Sequence, residues 1–175
     1  MPSHSMLFGN RSHRLDPYWL RWLALSAVIM VIDQVTKLMI LARFRPGERH
    51  MVIDGWFDLI LAFNSGAAFS LLGDATGWQR YLFSGLAIAV SIGLVWFLRK
   101  PGSSGLHLGL AMILGGAVGN LIDRIRIGEV VDFLLLYHGG WAWPAFNAAD
   151  SAITGGAALL ILDSFRQQRS DRETL

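Results

Sequence analysis

Four long apolar segments constrain the fold of this chain more than any other feature: residues 19–42, 81–98, 106–125 and 148–165. A helix needs about 20 predominantly apolar residues to cross the hydrocarbon core of a bilayer. The sequence therefore predicts an all-α membrane protein with four transmembrane helices. The first segment is too long for the core of a cleavable signal peptide and lacks the small residues of a cleavage site, so we expect it to remain as a helix.

The composition supports a membrane location for the whole chain. Of its 175 residues, 53% are hydrophobic and 16% are charged, whereas soluble domains contain about 25% charged residues. We therefore treat residues 1–175 as one integral membrane domain. The chain has no Cys, which excludes a disulfide framework, a thiol nucleophile and a thiolate metal site. Its basic residues lie mostly at segment ends rather than in one patch, which argues against a nucleic-acid partner.

An even number of spans places both termini on one side of the membrane. The short polar segments on that side carry more Lys and Arg than those on the other, and such an excess marks the cytoplasm. We therefore expect residues 1–18, 99–105 and 166–175 to be cytoplasmic, and residues 43–80 and 126–147 to be periplasmic.

The segment 43–80 is expected to form a small periplasmic β-sheet, or cradle, between the first and second helices. The Asp54-Gly55 pair separates two β-prone runs, which is a hairpin signal. The run from Asn64 to Phe69 is typical of a turn because Asn and Gly tolerate positive φ, and a short apolar piece follows it. Residues 126–145 also have β-like and aromatic character, which suits a loop at the membrane interface.

Polar side chains within the spans cost free energy to bury in the membrane, so they are candidates for a functional role. Asp33 and Lys37 lie one helical turn apart in the outer half of the first helix, so we expect an ion pair. Gly116, Asn120 and Arg124 recur at steps of four along the third helix and share one face. Such a stripe either holds helices together through hydrogen bonds or leads to a functional site.

The third helix carries two further signals. Gly115 and Gly119 have the small-xxx-small spacing that lets helices approach closely. Asp123 lies directly beside Arg124, and we expect the two to pair locally.

Two carboxylates, Asp132 and Asp150, are the strongest candidates for chemistry. Asp132 lies in an apolar run that we place at the outer end of the third helix, and Asp150 lies in the first turn of the fourth, three residues after Asn147, a candidate N-cap. Two carboxylates in one site share a proton, as in aspartic peptidases. Such a pair suits peptide hydrolysis, because one carboxylate activates water while the other donates to the carbonyl oxygen.

The residues alone leave alternatives to hydrolysis open. Intramembrane acids also line pathways in small proton- or ion-translocating proteins. Carboxylate and Asn oxygens together can bind a hard metal ion. A purely structural polar core is the remaining alternative.

Five blocks of the sequence occur together in one known family: Asp33-Gln-Val-Thr-Lys37, Asn64-Ser-Gly-Ala-Ala-Phe69, Gly115-Gly-Ala-Val-Gly-Asn-Leu-Ile-Asp-Arg124, Val130-Val-Asp-Phe133 and Phe146-Asn-Ala-Ala-Asp150. In these blocks, their order and the four-helix layout, the chain resembles the lipoprotein signal peptidases of bacteria, also called signal peptidase II. The resemblance implies an intramembrane aspartic endopeptidase that removes signal peptides from diacylglyceryl-modified prolipoproteins by cutting just before the lipidated Cys.

The resemblance also implies roles for individual residues. Asp132 and Asp150 match the catalytic pair of the family. The other matching positions line or support the substrate pocket, and they are Asn64, Gly66, Asn120, Arg124, Asn147 and the supporting pair Asp33 and Lys37. The implied partners are prolipoprotein substrates and membrane lipids, with no cofactor, no metal and no nucleic acid. A monomer in the bacterial inner membrane is expected, with its active site near the periplasmic face.

Overall fold

A computed structural model describes residues 18–66 and 77–173 of the chain. Within these two stretches the elements follow the order α1 (Tyr18–Arg43), β1 (Arg49–Ile53), β2 (Phe57–Asn64), α2 (Trp78–Leu98), α3 (Ser104–Arg126), β3 (Val130–His138), β4 (Trp141–Ala142) and α4 (Ala148–Glu173). The N-terminal segment before Tyr18 and the later part of the turn predicted from Asn64 to Phe69 lie outside the described residues.

The four helices are each long and apolar enough to cross a membrane, which confirms the predicted number of spans. Their bounds agree with the predicted segments to within a few residues, except at the end of α4. The sequence predicts a polar tail after residue 165, but α4 continues to Glu173. Residues 166–173 contain neither Gly nor Pro, so no residue in this stretch interrupts the helix as it leaves the apolar segment.

Helix α3 lies at the centre and packs against the other three helices. Gly109 on α3 faces Gly156 on α4 so closely that a Cβ on either would lie 2.7–2.8 Å from the carbonyl oxygen of the other. Gly115 and Gly119 face α1, where a Cβ would meet the α1 main chain and the Asp33 carboxylate, respectively. The close approach predicted from the glycine spacing is therefore confirmed.

The four strands form one antiparallel sheet in the order β1-β2-β3-β4. The predicted hairpin at Asp54-Gly55 is confirmed, and Gly55 has the positive φ of 75° that such a turn requires. The sheet is larger than predicted, because β3 and β4 come from the segment between α3 and α4 rather than from the segment between α1 and α2. Residues 130 and 131 are both Val, which favours this extended conformation.

The sheet covers the end of the helical bundle at which α1 and α3 end and α2 and α4 begin. Ile40 from α1, Leu61 from β2, and Val131 and Phe133 from β3 form one buried apolar cluster that joins the sheet to the helices. The polar residues singled out in the sequence lie next to this cluster, in the space between the sheet and the first turn of α4.

Candidate active site

Asp150 is held in place by the way in which α4 begins. The Asn147 side chain accepts a hydrogen bond from the Asp150 N–H at 2.9 Å, and the Asp150 carboxylate accepts one from the Asn147 N–H at 3.2 Å. This reciprocal arrangement is a capping box, so the predicted N-cap is confirmed. The Ala149 N–H donates to Asp33 of α1 at 2.9 Å. The first turn of α4 is thus fixed both by its own sequence and by α1.

Asp132 lies on strand β3, which corrects its predicted position at the end of the third helix. Helix α3 ends at Arg126, and Gly128, with a φ of 86°, turns the chain into β3. Asp132 pairs with Ala62 of β2 in the sheet register. Its Oδ2 accepts a hydrogen bond from Asn64 Nδ2 at 3.0 Å, and only 2% of the residue is exposed.

Asn147 joins the two carboxylates directly. Its Nδ2 donates to Asp132 Oδ1 at 2.7 Å, while its main-chain N–H donates to Asp150. The same Nδ2 contacts the Val131 carbonyl oxygen at 3.2 Å, and Asn147 itself is fully buried. The structure therefore places Asp132 and Asp150 on either side of one residue, although they come from a strand and a helix rather than from two helix ends.

The proton affinity of Asp132 reflects this buried position. Burial raises the pKa of the Asp132 carboxyl to about 7, and the nearby negative charge of Asp150 adds to the rise. Hydrogen bonds from Asn64 and Asn147 stabilise the ionised form and oppose the rise in pKa. Near neutral pH the Asp132 carboxyl therefore exists in both its protonated and its ionised form.

Asn120 of α3 connects this pair to a buried cation. Its Nδ2 donates to Asp150 Oδ1 at 2.8 Å, and its Oδ1 accepts from Lys37 Nζ at 2.8 Å and from Asn147 Nδ2 at 3.2 Å. An ammonium group can only donate, so Lys37 fixes which end of the Asn120 amide faces the carboxylate. Lys37 thereby ensures that Asp150 receives an N–H donor.

Lys37 itself lies between two carboxylates. Its Nζ is 2.9 Å from Asp33 and 2.8 Å from Asp123, so the predicted Asp33–Lys37 ion pair is confirmed. The predicted pairing of Asp123 with its neighbour Arg124 is wrong, because Asp123 faces α1. Asp123 also accepts hydrogen bonds from Gln34 Nε2 at 3.0 Å and from the Val131 N–H of β3 at 3.2 Å.

Two other predicted residues lie at the edge of this network. Arg124 is half-buried, donates to the Asn120 carbonyl oxygen at 3.4 Å and lies 5.5 Å from the Phe83 ring. Gly66 donates its N–H to Asn64 Oδ1 at 2.8 Å with a φ of 93°, and a Cβ there would overlap the Phe83 ring. Gly66 thus holds Asn64 in place, and Asn64 contacts Asp132.

An apolar cavity of about 320 Å³ opens beside Asp150. It lies between the sheet and α4, so one of its walls carries the carboxylate and the others are largely hydrophobic. The lining residues are Leu136, Trp143, Phe146, Asp150, Ser151, Thr154 and Gly155. A chain with apolar substituents can therefore approach Asp150 from this side.

One participant, Gln34, was missed as a site residue in the sequence. Gln34 donates to Asp123 and to the Gly119 carbonyl oxygen, and Asp123 is one of the two carboxylates that pair with Lys37. Gln34 lies inside a sequence block that already stood out, since it follows Asp33. Its position among apolar residues was a signal that could have identified it.

The fold and the site together define the class of protein: a multi-pass membrane protein in which two carboxylates share one Asn as a hydrogen-bonding partner. The sequence model of the family described as signal peptidase (SPase) II matches residues 25–166. The chain belongs to this family of peptidases.

Individual relatives support this assignment. A lipoprotein signal peptidase from Chromobacterium violaceum is 50% identical over 151 residues, which cover 85% of this chain and 93% of that protein. Another from a Janthinobacterium species is 46% identical over 168 residues, or 95% of this chain and 98% of its own. A solved structure of a bacterial membrane enzyme matches with a TM-score of 0.75 and 31% identity, covering 85% of this chain and 89% of that one.

Proposed function

We propose that this protein removes signal peptides from diacylglyceryl-modified prolipoproteins by aspartic catalysis, with Asp132 and Asp150 as the catalytic pair and the cut just before the lipidated Cys. The observation that carries the proposal is the bridge through Asn147, which donates to Asp132 from its side chain and to Asp150 from its main chain. A shared hydrogen-bonding partner holds two carboxylates in the close arrangement that aspartic catalysis requires.

The surroundings of the two carboxylates favour different roles. Burial and the charge of Asp150 raise the pKa of Asp132 to about 7, so Asp132 holds the shared proton and donates it to the scissile carbonyl oxygen. Asp150 receives hydrogen bonds from Asn120 and Asn147 and lies at a helix N-terminus, where a negative charge is stabilised. It therefore acts as the base.

The steps then balance as follows. The oxygen of a water molecule bonds to the carbonyl carbon while Asp150 takes one water proton and Asp132 gives its proton to the carbonyl oxygen. When the C–N bond breaks, the proton on Asp150 passes to the leaving amine and the proton on the former carbonyl oxygen returns to Asp132. The pair ends in its starting state with one proton shared, as general acid–base catalysis requires.

The position of the pair suits a lipid-modified substrate. Both carboxylates lie at the sheet end of the bundle, and Asp150 lines the apolar cavity there. We propose that this end faces the periplasm, that both termini are cytoplasmic, and that the cavity accepts apolar parts of the substrate around the lipidated Cys. The acyl chains of that residue would hold the scissile bond near the outer interface, close to the pair.

A single chain supplies the whole pair and its supporting residues. Asn64 holds Asp132, while Asn120 holds Asp150 and is itself oriented by Lys37. We therefore propose that the protein acts as a monomer. Within residues 18–66 and 77–173, no basic side chain forms an ion pair with Asp132 or Asp150, which leaves both carboxylates free to exchange a proton with the substrate.

The test is cleavage of a diacylglyceryl-modified prolipoprotein peptide by the purified protein in detergent, beside the same peptide without lipid. We expect cleavage of the lipidated peptide that persists in the presence of a chelator and is lost in Asp132→Asn and Asp150→Asn. Asp58→Asn is a matched control, because Asp58 is also a buried carboxylate but contacts Arg49 and Tyr137 on the sheet. Near-normal cleavage by a folded Asp132→Asn protein would contradict the proposed roles.

A further inference from the structure

A second cavity lies at the opposite end of the bundle from the catalytic pair. It is a groove of about 570 Å³ between α1 and α2, with α3 as its floor. Its walls are apolar and include Leu23, Ala27 and Met30 from α1, Val95 from α2, and Leu114 and Val118 from α3. Helices α1 and α2 pack against each other far less than either packs against α3, which leaves the groove open to the membrane along its length.

Cations surround the end of this groove that is farther from the sheet. Arg99 lines it, and its guanidinium carbon lies 5.6 Å from the Trp19 ring on α1. Lys100 Nζ lies 3.2 Å from the ring of Trp96, which also lines the groove. Arg21 lies over the Tyr18 ring at 3.4 Å. These rings orient the positive charges without neutralising them.

No carboxylate in residues 18–66 or 77–173 forms an ion pair with Arg21, Arg99 or Lys100, since the salt bridges found there involve only Lys37 and Arg49. Among the described residues, the groove thus combines apolar walls with positive charges at one end that have no carboxylate partner. Basic pockets between transmembrane helices bind the head groups of anionic lipids, and apolar surface beside them accepts acyl chains.

We propose that this groove binds one anionic phospholipid, with an acyl chain along α1 and α2 and the phosphate against Arg99 and Lys100. The other candidate occupant is the helix of the substrate's signal peptide. The argument against it rests on the proposed function: a signal peptide cut at the sheet end would place its positively charged N-terminal region beside Arg99 and Lys100. Like charges would repel the peptide there, whereas they attract a phosphate.

The proposal predicts a preference for lipid charge that native mass spectrometry of the purified protein can measure. Phosphatidylglycerol and phosphatidylcholine with identical acyl chains are titrated separately into the detergent-solubilised protein. We expect one tightly retained phosphatidylglycerol and much weaker retention of phosphatidylcholine. In the double variant Arg99→Gln, Lys100→Gln, retention of phosphatidylglycerol should fall about ten-fold, because each cation near an anionic lipid contributes to binding.

Matched variants separate the groove from general effects of charge and surface. Ala27→Phe fills the groove from an exposed position, whereas Val28→Phe adds the same ring on the adjacent, lipid-exposed face of α1. Arg43→Gln with Arg45→Gln removes two exposed cations beyond the other end of the same helix. We expect Ala27→Phe to lower phosphatidylglycerol retention, and both controls to retain the lipid like the unsubstituted protein.

Three results would overturn the proposal: equal retention of the two lipids, equal losses in the controls, or full retention in both groove variants. If Ala27→Phe instead raises KM for the lipidated peptide and leaves lipid retention unchanged, the groove belongs to the signal peptide. Cleavage by the same protein samples is the independent readout. A protein that retains phosphatidylglycerol but cleaves nothing would contradict the proposed function and would still support the proposed lipid site.

Discussion

Helices α2 and α3 are both long and apolar, yet the protein surrounds them very differently. On α3, a Cβ at Gly116 would collide with the Ala149 carbonyl oxygen of α4, and Gly109 and Gly119 are equally confined. On α2, a Cβ at Gly93 would meet nothing within 4 Å, as at the other glycine within this helix. Similar glycine-containing apolar sequences therefore serve close packing in one helix and carry no such constraint in the other.

The polar residues follow the same division. Asn120 and Asp123 are buried on α3, where α1, α4 and the sheet supply partners for both side chains. Helix α2 exposes large apolar side chains such as Leu86 and Ile92 along most of its length and carries Arg80 only in its first turn. A charge is tolerated within a membrane only where protein surrounds it, so the site could form on α3 but not on α2.

The largest effect should come from removing Lys37, the buried cation that contacts α3. Lys37→Met leaves Asp33 and Asp123 buried without their shared partner and frees Asn120 to rotate away from Asp150. We expect a loss of about 3–5 kcal/mol in the free energy of unfolding, together with loss of cleavage.

Arg43→Met is the matched control for this substitution, because Arg43 is an exposed cation at the end of the same helix. It should change stability by less than about 0.5 kcal/mol. Thermal unfolding in detergent measures the stability of both variants. Equal stability of the two would contradict the buried ion pairs of Lys37 with Asp33 and Asp123.

A smaller effect separates the glycines of the two helices. Gly116→Ala should cost about 1–3 kcal/mol through overpacking against α4, whereas Gly93→Ala should be neutral or raise stability by up to about 1 kcal/mol through helix propensity. Because Gly116 faces the first turn of α4, its substitution should also slow cleavage by moving Asp150. If both changes had the same effect, α3 would not be the more tightly packed helix.

The smallest effect is a dependence of protein stability on pH, which arises from Asp132 next to α3 and α4. Burial raises the pKa of the Asp132 carboxyl to about 7, well above its usual range, so the folded state binds this proton more tightly than the unfolded state. Stability from this group is therefore greatest at low pH and falls as pH rises toward 7. We expect the melting temperature of Asp132→Asn to exceed that of the unsubstituted protein by a few degrees more at pH 8 than at pH 5.

The catalytic rate gives a second measurement of the same ionisation. Cleavage should decline as pH rises past about 7, because Asp132 then loses the proton that we propose it donates. A rate that stays constant to pH 9 would contradict the assignment of Asp132 as the acid.

Much of this architecture could be predicted from local sequence. Span length and hydropathy identified the four helices, the spacing of Asp33 and Lys37 identified their ion pair, and Asp54-Gly55 identified a hairpin, because each of these depends on residues close together in the chain. Asn147 and Asp150 were likewise recognisable as a helix start.

The remaining features depend on contacts between distant parts of the chain. Strand β3 pairs with β2 across the whole of α2 and α3, so the local pattern around Asp132 could not distinguish a strand from the end of a helix. Asp123 pairs with Lys37 instead of Arg124 because the packing of α3 against α1 decides which face of the helix is buried. Sequence spacing indicates which residues share a face but not which neighbour that face meets.

The hydrogen bond from the Ala149 N–H to Asp33 joins the first span to the beginning of the last. During synthesis, Asp33 emerges long before Ala149 exists, and Asp132 precedes the residue that bridges it to Asp150. The bridge between the two carboxylates therefore cannot form until α4 has been made and has docked against α1 and α3. A chain still attached to the ribosome would carry no peptidase activity. Peptides in the membrane would therefore meet an active enzyme only after α4 has docked.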